Sequence, residues 1–180
     1  MERLENTVLP ETGMQIVLEV FFMTLSAPAS IRSVVRRKDI TTRGIDPDDG
    51  VLELIAQAQD DGVAVKREQC FIHSTSWRYE PERTIVLTYL AYSDHLSFPE
   101  EAGTVFQPAD VPPATSADPG RPRPPEIKEV HVAAHAIRHL SFLAKNGQGA
   151  LHDILKPETL RFLQAIDDLP AGMIRGTIPT

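Results

Sequence analysis

The sequence is poor in the features that usually assign a chain to a functional class. It has a single cysteine, Cys70, so no internal disulfide can form. The apolar run at residues 16–25 is interrupted by Glu19 and is too short to cross a bilayer as a helix. Neither a Gly-x-Ser-x-Gly elbow nor a basic secretory leader is present. The chain is therefore predicted to be cytoplasmic, to contact no membrane and to carry no complete catalytic motif.

Length and charge limit the range of partners. The chain has 180 residues, of which 42% are hydrophobic and 24% charged, and its formal net charge is −7. These values are typical of one globular domain, predicted here over residues 1–180. An acidic chain gains nothing from a phosphate backbone, so no nucleic-acid partner is expected.

Cys70 adjoins Phe71 and Ile72, which favours a small core residue over a reactive thiolate.

Three segments of the first half carry clear secondary-structure signals. Residues 14–25 are strand formers with apolar side chains on both faces, which is typical of an interior strand. Asp46 is a good N-cap and is followed by proline, so a helix is predicted to begin there and to stop at Gly62. Residues 80–83 (EPER) favour the turn of a hairpin over 70–92, whose second strand is expected to be central in the sheet.

The second half begins with a segment that lacks periodicity. Residues 93–125 are predicted to form a Pro-rich flexible insertion, because seven prolines fall between positions 108 and 125 and cannot donate ladder hydrogen bonds. Residues 126–145 then form one long helix in this interpretation. The predicted fold class is α+β: a small mixed or antiparallel sheet with a long C-terminal helix and two shorter helices, in a single domain.

A basic run at Arg36, Arg37 and Lys38 follows an ambiguous segment. Charges of this kind commonly line the solvated edge of a sheet and discourage aggregation. The alternative is a patch that binds an anion.

Three histidines recur every four residues on the predicted long helix, at positions 131, 135 and 139. Two histidines four apart on a helix form half of a zinc site, so His131 and His135 are candidate ligands of a divalent metal. Third ligands could come from His73, His95, His152, Asp153, Asp167 or Asp168. The alternative is that the histidines are exposed or hydrogen-bonded. Phe142 projects between His131 and His135, which indicates that this face is partly covered.

The first strand of the hairpin is polar for a strand beside a core. Strict alternation places Ser74, Ser76 and Arg78 on one face and His73 with Trp77 on the other. The first face is predicted to bind a ligand, with Arg78 holding an anion. Arg138, on the histidine face of the long helix, is the fourth predicted ligand-binding residue. Trp77 is predicted to be partly buried.

Residues 44–92 resemble the middle of a Nudix hydrolase. The resemblance rests on a helix that ends in Asp60-Asp61-Gly62 and on the hairpin that follows it. It implies a related scaffold, and in the intact family it also implies magnesium binding and diphosphate hydrolysis. In this chain Gly44 and Gly62 are too close for the family's box, and the box glutamates are missing.

The sequence therefore favours a binding module that takes a small molecule or a protein, with self-association into a homo-oligomer left open. The alternative is a metal-dependent hydrolase, either a degenerate Nudix-like enzyme or one that uses His131 and His135.

Overall fold

The computed structural model describes residues 13–27, 29–41, 44–116, 124–147 and 149–167. Its secondary structure consists of β1 (Gln15–Ala27), β2 (Ser30–Asp39), α1 (Pro47–Asp60), β3 (Phe71–Glu80), β4 (Thr84–Tyr92), β5 (Thr104–Phe106), α2 (Glu129–Lys145), α3 (Gly149–Ile154) and α4 (Pro157–Ala165). Among the described residues, no helix combines the length and the apolar character needed to cross a membrane.

The five strands form one mixed sheet in the order β3-β4-β1-β2-β5. β1 pairs with β4 in parallel, and every other pair of neighbours is antiparallel. The predicted α+β class is confirmed, with a mixed sheet and a long helix, α2. β1 lies between β4 and β2, as expected for a strand with apolar residues on both faces. The hairpin of β3 and β4 is also confirmed, and β4 is interior as predicted.

Each face of the sheet has its own hydrophobic core. On one face Leu18, Val20 and Phe22 of β1 pack with α1. On the other face Phe21 and Met23 pack with α2, α3 and α4. The sheet therefore has one helix on one face and three on the other, and β1 contributes alternate side chains to both cores.

α1 begins as the sequence predicts. The Asp46 side chain accepts a hydrogen bond from the Asp48 backbone N–H over 2.9 Å. Gly50 lies where the helix meets β1, and a Cβ at this position would come within 2.3 Å of Leu18 Cδ1. The missing side chain therefore lets α1 approach the sheet closely.

A β-bulge in β3 changes which side chains share a face. Ser74 pairs with Tyr89 and Ser76 with Thr88, so Thr75 is an extra residue in the ladder. Beyond Thr75 the alternation is inverted. The strict alternation predicted from the sequence is therefore wrong: Ser76 lies on the α2 side of the sheet, while Ser74 lies on the α1 side.

The described part of the predicted flexible insertion is packed against the domain. It contains β5, and its buried side chains include Leu96, Phe106 and Val111. Arg32 donates to the carbonyl oxygens of Ala102 at 3.1 Å and Pro99 at 3.2 Å. Residues 93–111 therefore pack against the domain, and arginine donors satisfy carbonyls that no strand ladder uses. Flexibility of the insertion as a whole stays a prediction. Residues 117–123 lie outside the described part.

Candidate functional site

A buried ion network crosses the sheet on its α2 side. Glu19, in the middle of β1, has no exposed surface. Both of its carboxylate oxygens accept from Arg78 of β3, at 2.7 and 2.9 Å. Arg37 of β2 donates to the same carboxylate at 2.6 Å, and the Thr88 hydroxyl of β4 donates at 3.1 Å. Arg78 also pairs with Glu80 at 2.8 Å. Three side chains, Arg78, Arg37 and Thr88, thus satisfy one carboxylate in the core.

This network contains the arginines that were predicted from the sequence to bind an anion. Burial acts to raise the pKa of Glu19, but hydrogen bonds and charge from Arg78 and then Arg37 outweigh it and hold the pKa below its ordinary value. Arg36 and Lys38 are likewise paired, with Asp61 and Glu53 respectively. The basic run lies beyond the part of β2 that pairs with β5, and Arg37 is 46% exposed, as expected for a solvated edge. Each of its cations has a carboxylate partner, so it is not a free cationic patch.

A stack of rings joins β3 to α2. The His73 and His139 ring centroids are 5.1 Å apart, with an interplanar angle of 21°. Phe71 lies 5.7 Å from His73 on one side, and Phe142 lies 6.5 Å from His139 on the other. Phe142 thus contacts the histidine face, in agreement with the prediction that this face is partly covered.

The histidines of this region have lowered pKa values, and no ion pair joins them to a carboxylate among the described residues. The Nε2 atoms of His135 and His139 are buried, and neither has a hydrogen-bond partner among the described residues. Burial lowers the pKa of His73 and His139, and the charge of nearby histidines adds to the effect on His139. The pKa of His135 is lowered by burial and by the charge of Arg138. Burial therefore disfavours the protonated form of each of these histidines, although a backbone hydrogen bond with Thr75 opposes the effect at His135.

Among the described residues, the metal-site candidates do not assemble into a metal site. His131 Nδ1 accepts from the Lys128 backbone N–H over 3.2 Å, so this histidine caps the start of α2. Within the part of the chain that the structure describes, no group of three or more His, Cys, Asp or Glu side chains could hold a metal ion. His152, Asp153 and Asp167 are exposed at α3 and after α4. Asp168 lies outside the described residues.

The predicted ligand-binding residues occupy three separate places. Arg78 belongs to the ion network, and Ser76 lies beside it on the same face. Ser74 is exposed on the opposite face. Arg138 is buried, which corrects its predicted place off the core, and it donates to the backbone carbonyls of Pro108 (2.7 Å) and Val111. These four side chains therefore do not form one site.

The feature that sequence analysis missed is an exposed aromatic face. After the bulge, Trp77 and Tyr79 project to the α1 side of β3, where they pair with Leu87 and Ile85 of β4. Trp77 is 69% exposed and Tyr79 is 43% exposed, which corrects the prediction of a partly buried indole. Ile85, Leu87 and the neighbouring Ile16 of β1 are only half-buried. We call these five residues the aromatic face.

Acidic groups flank the aromatic face. Tyr89 is half-buried on the same side of the sheet. Burial raises its pKa, and the charges of Asp48 and Asp46 raise it further. These carboxylates at the start of α1 therefore lie close enough to act on the edge of the aromatic face.

Replacing the indole is expected to cost little stability. Trp77→Ala should lower the free energy of unfolding by less than about 1 kcal/mol, because a side chain that is mostly exposed loses little buried area. Leu90→Ala, in the core below, should cost about 2–5 kcal/mol and serves as the comparison. Urea unfolding measures both. A loss for Trp77→Ala as large as that for Leu90→Ala would mean that the indole supports the fold.

No protein-family model matches the chain, and a search of curated proteins finds no match.

Proposed function

We propose that this protein is a binding module for another protein and that the aromatic face is its contact surface. The observation that carries the proposal is the exposure of Trp77, at 69%, beside Tyr79 on an edge strand. Tryptophan and tyrosine are enriched among the residues that dominate binding energies in protein interfaces. An indole that the fold itself leaves exposed has its apolar surface available to a partner.

The position of the face on the sheet supports this proposal. β3 is the terminal strand and has no further strand neighbour among the described residues. Leu87 and Ile85 extend the apolar surface inward from the two aromatic side chains. A rigid sheet holds these side chains in fixed relative positions, so little conformational entropy is lost on binding.

The two alternatives from the sequence have less support. A small molecule would be held best in an enclosed cavity, whereas the depression of about 600 Å³ beside Lys66 and His95 is open to solvent. A hydrolase of the Nudix-like kind would need free carboxylates near the end of α1, and Asp61 there is paired with Arg36 at 2.8 Å. No cluster of metal ligands among the described residues supports a metal-dependent hydrolase.

Photo-crosslinking in cells tests the proposal directly. With Tyr79→p-benzoylphenylalanine, ultraviolet light should give a discrete adduct of higher mass that mass spectrometry identifies. The same adduct should disappear when Trp77→Ala is added, because the partner loses its central contact.

The matched control places the crosslinker on the other edge of the sheet. Val105 of β5 is 58% exposed and should give no adduct of that mass after Val105→p-benzoylphenylalanine. Equal adducts from positions 79 and 105, or an adduct at 79 that survives Trp77→Ala, would refute the proposed contact surface.

A further inference from the structure

The α1 side of the sheet is only half covered by helix. An α-helix with its side chains is about 10 Å wide and neighbouring strands are about 4.8 Å apart, so one helix covers about two strands. α1 packs principally on β1 and β2. Of the described helices, α2 packs on the opposite face, and α3 and α4 join it in that core. At one end of the β3–β4 half, Ile72 and Ala91 pack with Val63, Val65 and Leu96. The other end, where Trp77 and Tyr79 are exposed, is left with room for a short helix.

The length of the uncovered strip matches a short helix. From Ser74 to Tyr79, β3 runs about 17 Å at about 3.3 Å per residue. A helix rises about 5.4 Å per turn, so roughly three turns would span the strip. Ser74 is small and exposed at one end, whereas Trp77 and Tyr79 are large at the other. A single apolar stripe on a helix could contact the whole strip.

The flank of this strip is acidic. The sequence of α1 contains four acidic residues and no basic residue: Asp48, Asp49, Glu53 and Asp60. Glu53 is paired with Lys38. Asp46 and Asp48 at the start of α1 act on Tyr89, whereas Asp49, Glu53 and Asp60 project from another side of the helix. A helix lying beside α1 would therefore meet Asp46 and Asp48, in a chain whose net charge is −7. Basic side chains on that side of the incoming helix would complement this field.

We infer that the partner segment is a basic amphipathic helix that packs beside α1 and covers β3 and β4. This inference rests on the proposed function and specifies the chemistry of its partner. Leucine-like side chains on one stripe would cover Trp77, Tyr79 and Leu87, and lysine or arginine on the adjoining side would face Asp46 and Asp48. The helix-in-groove mode of recognition uses this combination of an apolar stripe and a charged flank.

A second copy of this chain is a poorer occupant. Symmetric pairing through the aromatic face would bring two acidic α1 helices together, and each chain has a net charge of −7. Like charges placed opposite each other across an interface oppose association.

The probe is a synthetic peptide with leucine at i, i+3, i+4 and i+7 and lysine along one flank. Trp77 is the only tryptophan in the chain, so a peptide without tryptophan can be followed by the emission of one side chain. We expect the emission to shift to shorter wavelength as the peptide is added. Replacing the lysines with glutamate, or scrambling the order so that the stripe is lost, should weaken binding at least about tenfold.

Variants of the protein test the two halves of the inference with a fluorescein-labelled peptide and anisotropy. Trp77→Ala should weaken binding at least about tenfold, as expected for a central aromatic contact. Asp48→Asn should weaken it about twofold at low salt, and the difference should vanish at high salt. Asp60→Asn, at the far end of α1, is the matched control and should bind as the wild type does.

Three results would overturn the inference. These are equal binding of the lysine and glutamate peptides, binding of the lysine peptide that leaves Trp77 emission unchanged, and a shift of emission with concentration in the protein alone, which would indicate a second copy. The crosslinking experiment separates this inference from the proposed function. An adduct at position 79 that depends on Trp77, without binding of the lysine peptide, would reject the helix and retain the binding face.

Discussion

Arg78→Met is expected to lower the free energy of unfolding by about 3–5 kcal/mol. The substitution removes the bidentate partner of Glu19. The Glu19 carboxylate has no exposed surface, so water cannot replace the lost hydrogen bonds. A buried charge that loses its partner bears most of its desolvation cost. Urea denaturation measures the loss. The slope of the unfolding free energy against urea concentration should be the same in the variant and the wild type.

Two variants control for this interpretation. Arg37→Met removes a contact to the same carboxylate, but the Arg37 side chain is 46% exposed, so the expected loss is within about 1 kcal/mol. The double variant Glu19→Met/Arg78→Met should be more stable than Arg78→Met alone, because no carboxylate is then left buried. If Arg78→Met cost no more than Arg37→Met, the network would not be a major source of stability.

Stability should also fall as the pH drops below about 6.5, the ordinary pKa of histidine. The pKa values of His73, His135 and His139 are lowered in the folded protein, so the unfolded chain binds protons more readily. Their contribution is fully present above the unfolded pKa and is lost as the pH falls toward the lowered folded values. The largest slope is about 1.4 kcal/mol per pH unit for each histidine. Loss of the Glu19 contribution belongs to a lower pH range, below the ordinary glutamate pKa of 4.5, because the pKa of Glu19 is lowered in the folded protein.

The double variant His73→Phe/His139→Phe tests the source of this slope. Phenylalanine preserves ring stacking between Phe71 and Phe142 but cannot bind a proton, so stability between pH 7.5 and 5.5 should vary less than in the wild type. His152→Gln, at an exposed position on α3, controls for the loss of a histidine as such. A double variant with the wild-type slope would exclude the stack as the acid-sensitive element.

The candidate site was only partly visible in the sequence, and two single residues account for most of the difference. Glu19 interrupts an apolar interior strand, and this polar residue at a core position was the available sign of a buried partner. Its partner Arg78 lies 59 residues away in the chain, on a strand two places across the sheet. Spacing along the chain carries no information about such a pair. Thr75 is the second of these residues. It forms the bulge in β3, and no residue type in that strand predicts a bulge.

What the sequence by itself determined is local. Asp46 and the following proline set the start of α1, apolar residues on both faces made β1 an interior strand, and the turn at 80–83 closed the hairpin. Each of these depends on backbone dihedrals or on periodicity within a few residues. Three outcomes were decided by the tertiary structure. They are the pairing of each arginine with its carboxylate, the packing of the segment before residue 112 against the domain, and the exposure of Trp77 to solvent. These outcomes depend on sheet register and on which half of a face a helix covers, and both are set by contacts between residues far apart in the chain.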